Sequence, residues 1–137
     1  MIPNNSDTRE SRLDNLVVLV ADDSPDNLLL VKRILTKKGA RVETASDGHQ
    51  AIVKAMSGSF DLVLMDIQMP IMDGYQALKT LLSLGYAAPI VALTAHAMTE
   101  ERVKTKDAGF VAHLTKPLAA QELVATVYRV TKGAEES

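Results

Sequence analysis

The chain has no cysteine, which excludes disulfides, thiolate metal sites and cysteine nucleophiles together and fits a reducing compartment. It has no excess of positive charge either: 15 Lys and Arg stand against 17 Asp and Glu, a formal net charge of -2. Without a positive field to gather a phosphate backbone, nucleic acid is not expected as the main ligand. Long hydrophobic runs are also missing. Stretches such as residues 16–21 fall far short of the roughly 18 apolar residues of a membrane helix, so no direct membrane insertion is expected. Residues 1–14 mix Asn, Ser, Asp, Arg and Glu with no apolar segment behind a basic start, unlike a secretory signal. They read as a polar arm or linker, and the cytoplasm is the plain expectation for the chain.

What is present suits one globular domain with a single core: 137 residues, 47% hydrophobic and 23% charged, with seven glycines and five prolines. From residue 16 onward, short apolar runs alternate with segments of helical periodicity, the pattern of βα units around a parallel sheet. Strands are expected at residues 16–21, 41–45, 61–65, 90–93 and 110–114. The first helix opens at Ser24-Pro25, carries Leu28, Val31, Ile34 and Leu35 on one face, and stops at Gly39. The second covers about 48–56, the third runs from an Asp73 cap to about Leu84, and the fourth covers about 98–107 before Gly109. The fifth, about 119–131, aligns Leu123, Val124, Val127 and Val130. Right-handed crossovers make this a (βα)5 three-layer α/β sandwich. The expected domain is 15–132, followed by a polar tail at 133–137.

In open parallel sheets, ligands bind beyond the carboxyl ends of the strands. Strand one is followed there by Asp22 and Asp23, strand three by Asp66, strand four by Thr94, and strand five by Thr115, Lys116 and Pro117. Ser46 and Asp47 after strand two look like helix caps. Alone, each of these residues is an ordinary cap, turn or surface group; independent caps have no reason to occur together at four strand ends. If strands one and three are neighbours, Asp22, Asp23 and Asp66 repel unless a cation bridges them. Oxygen-only ligands that leave room for water favour Mg2+, with Mn2+ as a substitute. Asp66, alone after an apolar strand and before a loop with Pro70 and Gly74, is the choice for a covalent phosphoryl acceptor. Thr94 and Lys116 could neutralise equatorial phosphoryl oxygens. The three histidines show no ligand spacing.

At these residues the sequence resembles a response-regulator receiver domain. The marks are Asp22-Asp23, the run Met65-Asp66-Ile67-Gln68-Met69-Pro70 with Asp73-Gly74 beyond, Thr94-Ala95 and Lys116-Pro117, and the match covers residues 16–132. The resemblance implies a flavodoxin-like sheet in order 2-1-3-4-5. It implies that Asp66 takes a phosphoryl group from a histidine kinase or histidine phosphotransfer protein, with Mg2+ held by Asp22, Asp23, Asp66 and the Gln68 backbone carbonyl. Thr94 and Lys116 would follow the phosphoryl oxygens and relay the change to the face of helix four, strand five and helix five. That face, where Met98, Arg102 and Tyr128 fall, would serve a downstream protein or a weak homodimer. The Lys116 to Pro117 bond is expected cis, against about 5–6% of X-Pro bonds in general.

One departure concerns the switch residues Thr94, His113 and Pro117: the family often has Tyr or Phe where this chain has His113, which offers pH sensitivity to the rotamer switch. The run around Asp66 and the choice of His113 resemble receivers of hybrid sensor kinases, so the cytoplasmic part of a membrane-bound kinase is the companion expectation. The reading is of a switch rather than a turnover enzyme. An Mg2+-dependent hydrolase with an aspartyl nucleophile is the first alternative, although that class wants a second acid where Gln68 stands. A receiver-like binding domain that phosphorylation does not regulate is the second.

Overall fold

The computed structural model describes residues 12–96 and 98–133. Its strands are β1 (Val17–Ala21), β2 (Arg41–Ala45), β3 (Leu62–Asp66), β4 (Ile90–Thr94) and β5 (Ala112–Thr115). Its helices are α1 (Pro25–Lys37), α2 (Gly48–Ser57), α3 (Gly74–Ser83), α4 (Thr99–Ala108) and α5 (Ala120–Tyr128), with a π-helical turn at Arg129–Gly133. The strands form one parallel sheet in the order β2-β1-β3-β4-β5. β3 and β4 are buried along their whole length, as central strands covered on both faces must be.

Strand alternation divides the core into two layers. Val18, Val20, Leu62, Leu64, Val91, Leu93 and Leu114 meet Val31 and Leu35 of α1 and Leu123, Val124 and Val127 of α5. Leu19, Ala21, Val63, Met65, Ile90 and Ala92 face Ala51 and Ala55 of α2 and Ala77, Leu78 and Leu81 of α3. Among the described residues of α4 only Thr105 is buried.

The starts of α1, α2 and α3 follow the capping chemistry read from the sequence. Ser24 Oγ accepts from Asn27 N–H, Asp47 from Gln50 N–H and Asp73 from Gln76 N–H. Ser46 is not itself a cap: its N–H donates to the Gln50 side chain, which reaches back over the first turn of α2. Strand five begins later than expected. Phe110 is buried and its N–H closes α4 on Thr105 O, while Val111 N–H reaches Ile90 O, so the ladder opens there. Asp66 is the last residue of β3 rather than the first of a loop, in register with Leu93. The fifth helix leaves α geometry at Arg129. Leu13, placed by its polar surroundings in the N-terminal arm, is fully buried, and its N–H donates to Lys38 O. Its apolar side chain extends the core before β1, and Lys132 donates to Asp14 O.

Candidate functional site

All five strands run the same way, so their carboxyl ends share one rim, where the residues following β1 and β5 meet the last residue of β3. Asp22 and Asp66 are buried at 0% and 3% exposure, while Asp23 is exposed. Ligand oxygens of the three lie within 4.8 Å of one another. Lys116 reaches across from β5 and places Nζ 2.9 Å from both Asp22 Oδ2 and Asp66 Oδ2. One ammonium thus bridges two carboxylates that would otherwise repel strongly at such range.

Backbone and side-chain donors fix the orientation of both acids. Asp22 Oδ1 accepts Ser24 N–H at 2.9 Å, and its Oδ2 accepts Asn27 Nδ2 at 3.3 Å. Asp66 Oδ1 accepts Gln68 N–H at 3.0 Å. Burial pushes the Asp66 carboxyl above the ordinary aspartate range, the bonds from Lys116 and Gln68 pull it back, and the charge on Asp22 adds to the rise. Burial acts downward on Lys116, but its hydrogen bonds to Asp66 and Asp22 outweigh this and keep the ammonium above its usual range.

Beside these acids opens a shallow cleft of ≈ 490 Å³ lined by Asp23, Ile67, Gln68, Met69, Pro70 and Asp73. Asp23 is the member of the acidic trio that lines it. The donor set suits a hard divalent cation: every titratable ligand is a carboxylate, and Lys116 offers one positive charge against three acids.

Thr94 is fully buried at the end of β4. Its Oγ1 accepts His96 N–H at 3.0 Å and also meets His96 O at 3.4 Å, so in this state the hydroxyl serves the turn after β4. The Lys116 to Pro117 peptide is cis. His113 stands half-buried in β5, in register with Ala92 on the α3 and α4 side of the sheet. Its Nε2 is buried without a hydrogen-bond partner, and burial, with help from Arg102, lowers its pKa against the opposing pull of Glu101 and Glu122.

Sequence reasoning passed over Asn27. Its signal was its place three residues after the Ser24 cap, on the first turn of α1, which turns the side chain back to Asp22. Gly74 was read only as a turn residue and family mark, and position 48 only as a helix start; at both, the close approach of neighbouring backbone is the further information.

Residues 18–128 match the family model described as the response regulator receiver domain. The chain is 42% identical over 119 residues to the Sensor protein GacS of Pseudomonas syringae pv. syringae, covering 83% of this chain and 13% of that protein. It is 39% identical over 128 residues to the Signal transduction histidine-protein kinase BarA of Escherichia coli K12, covering 92% of this chain and 14% of that protein. The chain therefore spans about one seventh of these relatives. Among solved structures, the receiver domain of Francisella response regulator 1452 superposes with a TM-score of 0.83 at 30% identity, covering 88% of this chain and 99% of that one. The receiver domain of sensor histidine kinase PA1611 from Pseudomonas aeruginosa PAO1, which has a magnesium ion in its active-site cleft, gives 0.78 at 33% identity, covering 85% and 98%. Five strands in the order 2-1-3-4-5, an acidic rim bridged by one lysine and these similarities together make the chain a member of the response regulator receiver domain family.

Proposed function

We propose that this receiver works by accepting a phosphoryl group on Asp66 from a phosphohistidine donor, a histidine kinase or a histidine phosphotransfer protein. The observation that carries the reading is the pairing of a buried carboxylate, Asp66, with the Lys116 ammonium at 2.9 Å and two further acids beside it. Asp66 Oδ attacks phosphorus in line, an oxygen–phosphorus bond forms, and the phosphorus–nitrogen bond breaks with its electron pair returning to the imidazole. Asp22, Asp23, one Asp66 oxygen and the Gln68 carbonyl would hold Mg2+, which neutralises charge on the transferring group.

The chain's own residues do the remaining work. Ser24 N–H and Asn27 keep Asp22 oriented, Gln68 N–H orients Asp66, and Lys116 moves from the paired carboxylates to a phosphoryl oxygen. Thr94 exchanges its His96 contacts for another phosphoryl oxygen, and this exchange biases the face of α4, β5 and α5, with His113 and Pro117 part of the change. That face is assigned to a downstream protein or a weak homodimer. On the similarity to sensor kinases we assign the chain to a hybrid kinase, and within it to the cytoplasmic part.

The test is incubation with a small-molecule phosphodonor and Mg2+. Intact mass is expected to rise by one phosphoryl group, and Asp66→Asn to abolish the gain; Mn2+ is expected to replace Mg2+. Continuous phosphate release over many turnovers would favour the aspartyl hydrolase instead.

A further inference from the structure

The loop that joins β3 to α3 is short and tied at several points. Ile67 N–H donates to Leu93 O at 3.1 Å, Gly74 N–H closes on Ile67 O at 3.1 Å, and Met72 N–H donates to Pro70 O at 2.7 Å. The last bond makes a three-residue turn centred on Ile71, whose φ is +71°. A β-branched residue in that region is strained, and the Ile71 side chain is 82% exposed, so core packing does not offset the strain. Met69 is buried and Met72 half-buried, holding the loop down on either side of the turn. Such a segment keeps its course only if its seat is the right depth.

The seat under Met72 is Gly48, the buried first residue of α2. A Cβ at Gly48 would lie 3.0 Å from Met72 Cβ, 3.1 Å from Met72 C and closer still to its carbonyl oxygen. All three nearest atoms thus belong to one residue of the loop. Its φ does not require glycine, and glycine weakens a helix relative to alanine, so clearance is the reason for its presence. On the opposite side, a Cβ at Gly74 would meet Asp66 O at 2.5 Å and Ile67 Cα at 2.7 Å. Backbone therefore blocks the loop at both ends, and a push at Met72 passes into residues 67–71.

We propose that Gly48, outside the cleft, is a positioning residue for the metal: its missing side chain sets the height of Met72 and so the course of the Gln68 carbonyl. The inference rests on the magnesium reading given above. It predicts that Gly48→Ala weakens Mg2+ binding by about tenfold or more, the range seen when support behind a ligand is disturbed, and shifts the Gln68 amide resonance.

The measurement is calorimetric titration of the full chain with MgCl2, with amide spectra, beside Val53→Gly on the exposed face of α2. That control loses helix stability without touching the loop, and its Mg2+ affinity is expected to match wild type. Equal affinity of Gly48→Ala and wild type, or an equal loss in Val53→Gly, overturns the proposal. Should Gly48→Ala not fold, the same change is made in a Met72→Gly background, which removes the Cβ contact and leaves the carbonyl contact; Mg2+ binding weaker than in Met72→Gly alone supports the proposal, and equal binding overturns it. A wild-type chain that binds no Mg2+ instead brings down the magnesium reading itself.

Discussion

Lys116 is the residue on which the charge balance of the rim turns. Its ammonium is shared between Asp22 and Asp66, each at 2.9 Å, with the carboxylates buried and the lysine side chain 21% exposed. Removing one partner of a buried ion pair costs about 3–5 kcal/mol, and residual contact with water puts this case at the lower end. Lys116→Met is therefore expected to lower the unfolding free energy in metal-free buffer and to gain more from added Mg2+ than wild type does. Urea unfolding with and without Mg2+ reads both effects; equal Mg2+ gains in the two proteins would sink the argument.

His113 carries the second residue-scale expectation. Burial lowers its pKa below the free-imidazole value, so the unfolded chain binds a proton more readily than the folded one. Its contribution to stability is complete above about pH 6.5 and is lost as pH falls from there toward the depressed folded value. The expected slope is at most about 1.4 kcal/mol per pH unit. His113→Phe should remove that part of the loss between about pH 8 and pH 5, measured as urea midpoints across the range. An unaltered pH profile in the variant excludes His113 as its source.

Among the elements, α4 is held differently from the other helices. Its single buried residue among those described is Thr105, and its N-cap, Met98, makes no side-chain capping bond. What ties it down is a polar and aromatic clamp: Tyr75 of α3 donates to Glu101, Lys104 lies 4.7 Å over the Tyr75 ring, and Tyr75 meets Phe110 edge-on at 5.9 Å. A helix with little buried apolar area opens at low cost. Amide hydrogen exchange is expected to be fastest in α4 among the five helices, and Tyr75→Phe should speed it further. Protection of α4 equal to that of α3 would contradict this account.

At the scale of the whole molecule, a cation that binds only the folded chain must stabilise it by mass action. The gain is about 2.7 kcal/mol when Mg2+ stands at 100 times its Kd, and Asp23→Ala should abolish it, since Asp23 is the exposed acid of the three. Thermal unfolding at graded Mg2+ checks this.

Most of this architecture was legible in the sequence because parallel sheets leave plain marks. Buried strands read as aliphatic runs, and caps such as Ser24, Asp47 and Asp73 are local chemistry. The convergence of Asp22, Asp23, Asp66 and Lys116 was legible too, because strand ends in a one-way sheet share a rim. Less legible were features fixed by tertiary space. Phe110 has strand propensity but closes a helix, Leu13 sits in polar sequence but fills the core, and the orientation of the Thr94 hydroxyl depends on the turn at His96. No local pattern shows that Gly48 lies under Met72.

The tie between Lys132 and Asp14 joins the two ends of the domain below the amino-terminal edge of the sheet, while the acidic rim crowns the opposite edge. A longer polypeptide could thus pass into and out of this module through one narrow base, like a lamp on a stem. With Asp14 and Lys132 gathered at that base, the three acids stand at the far pole of the molecule, clear of whatever is joined below.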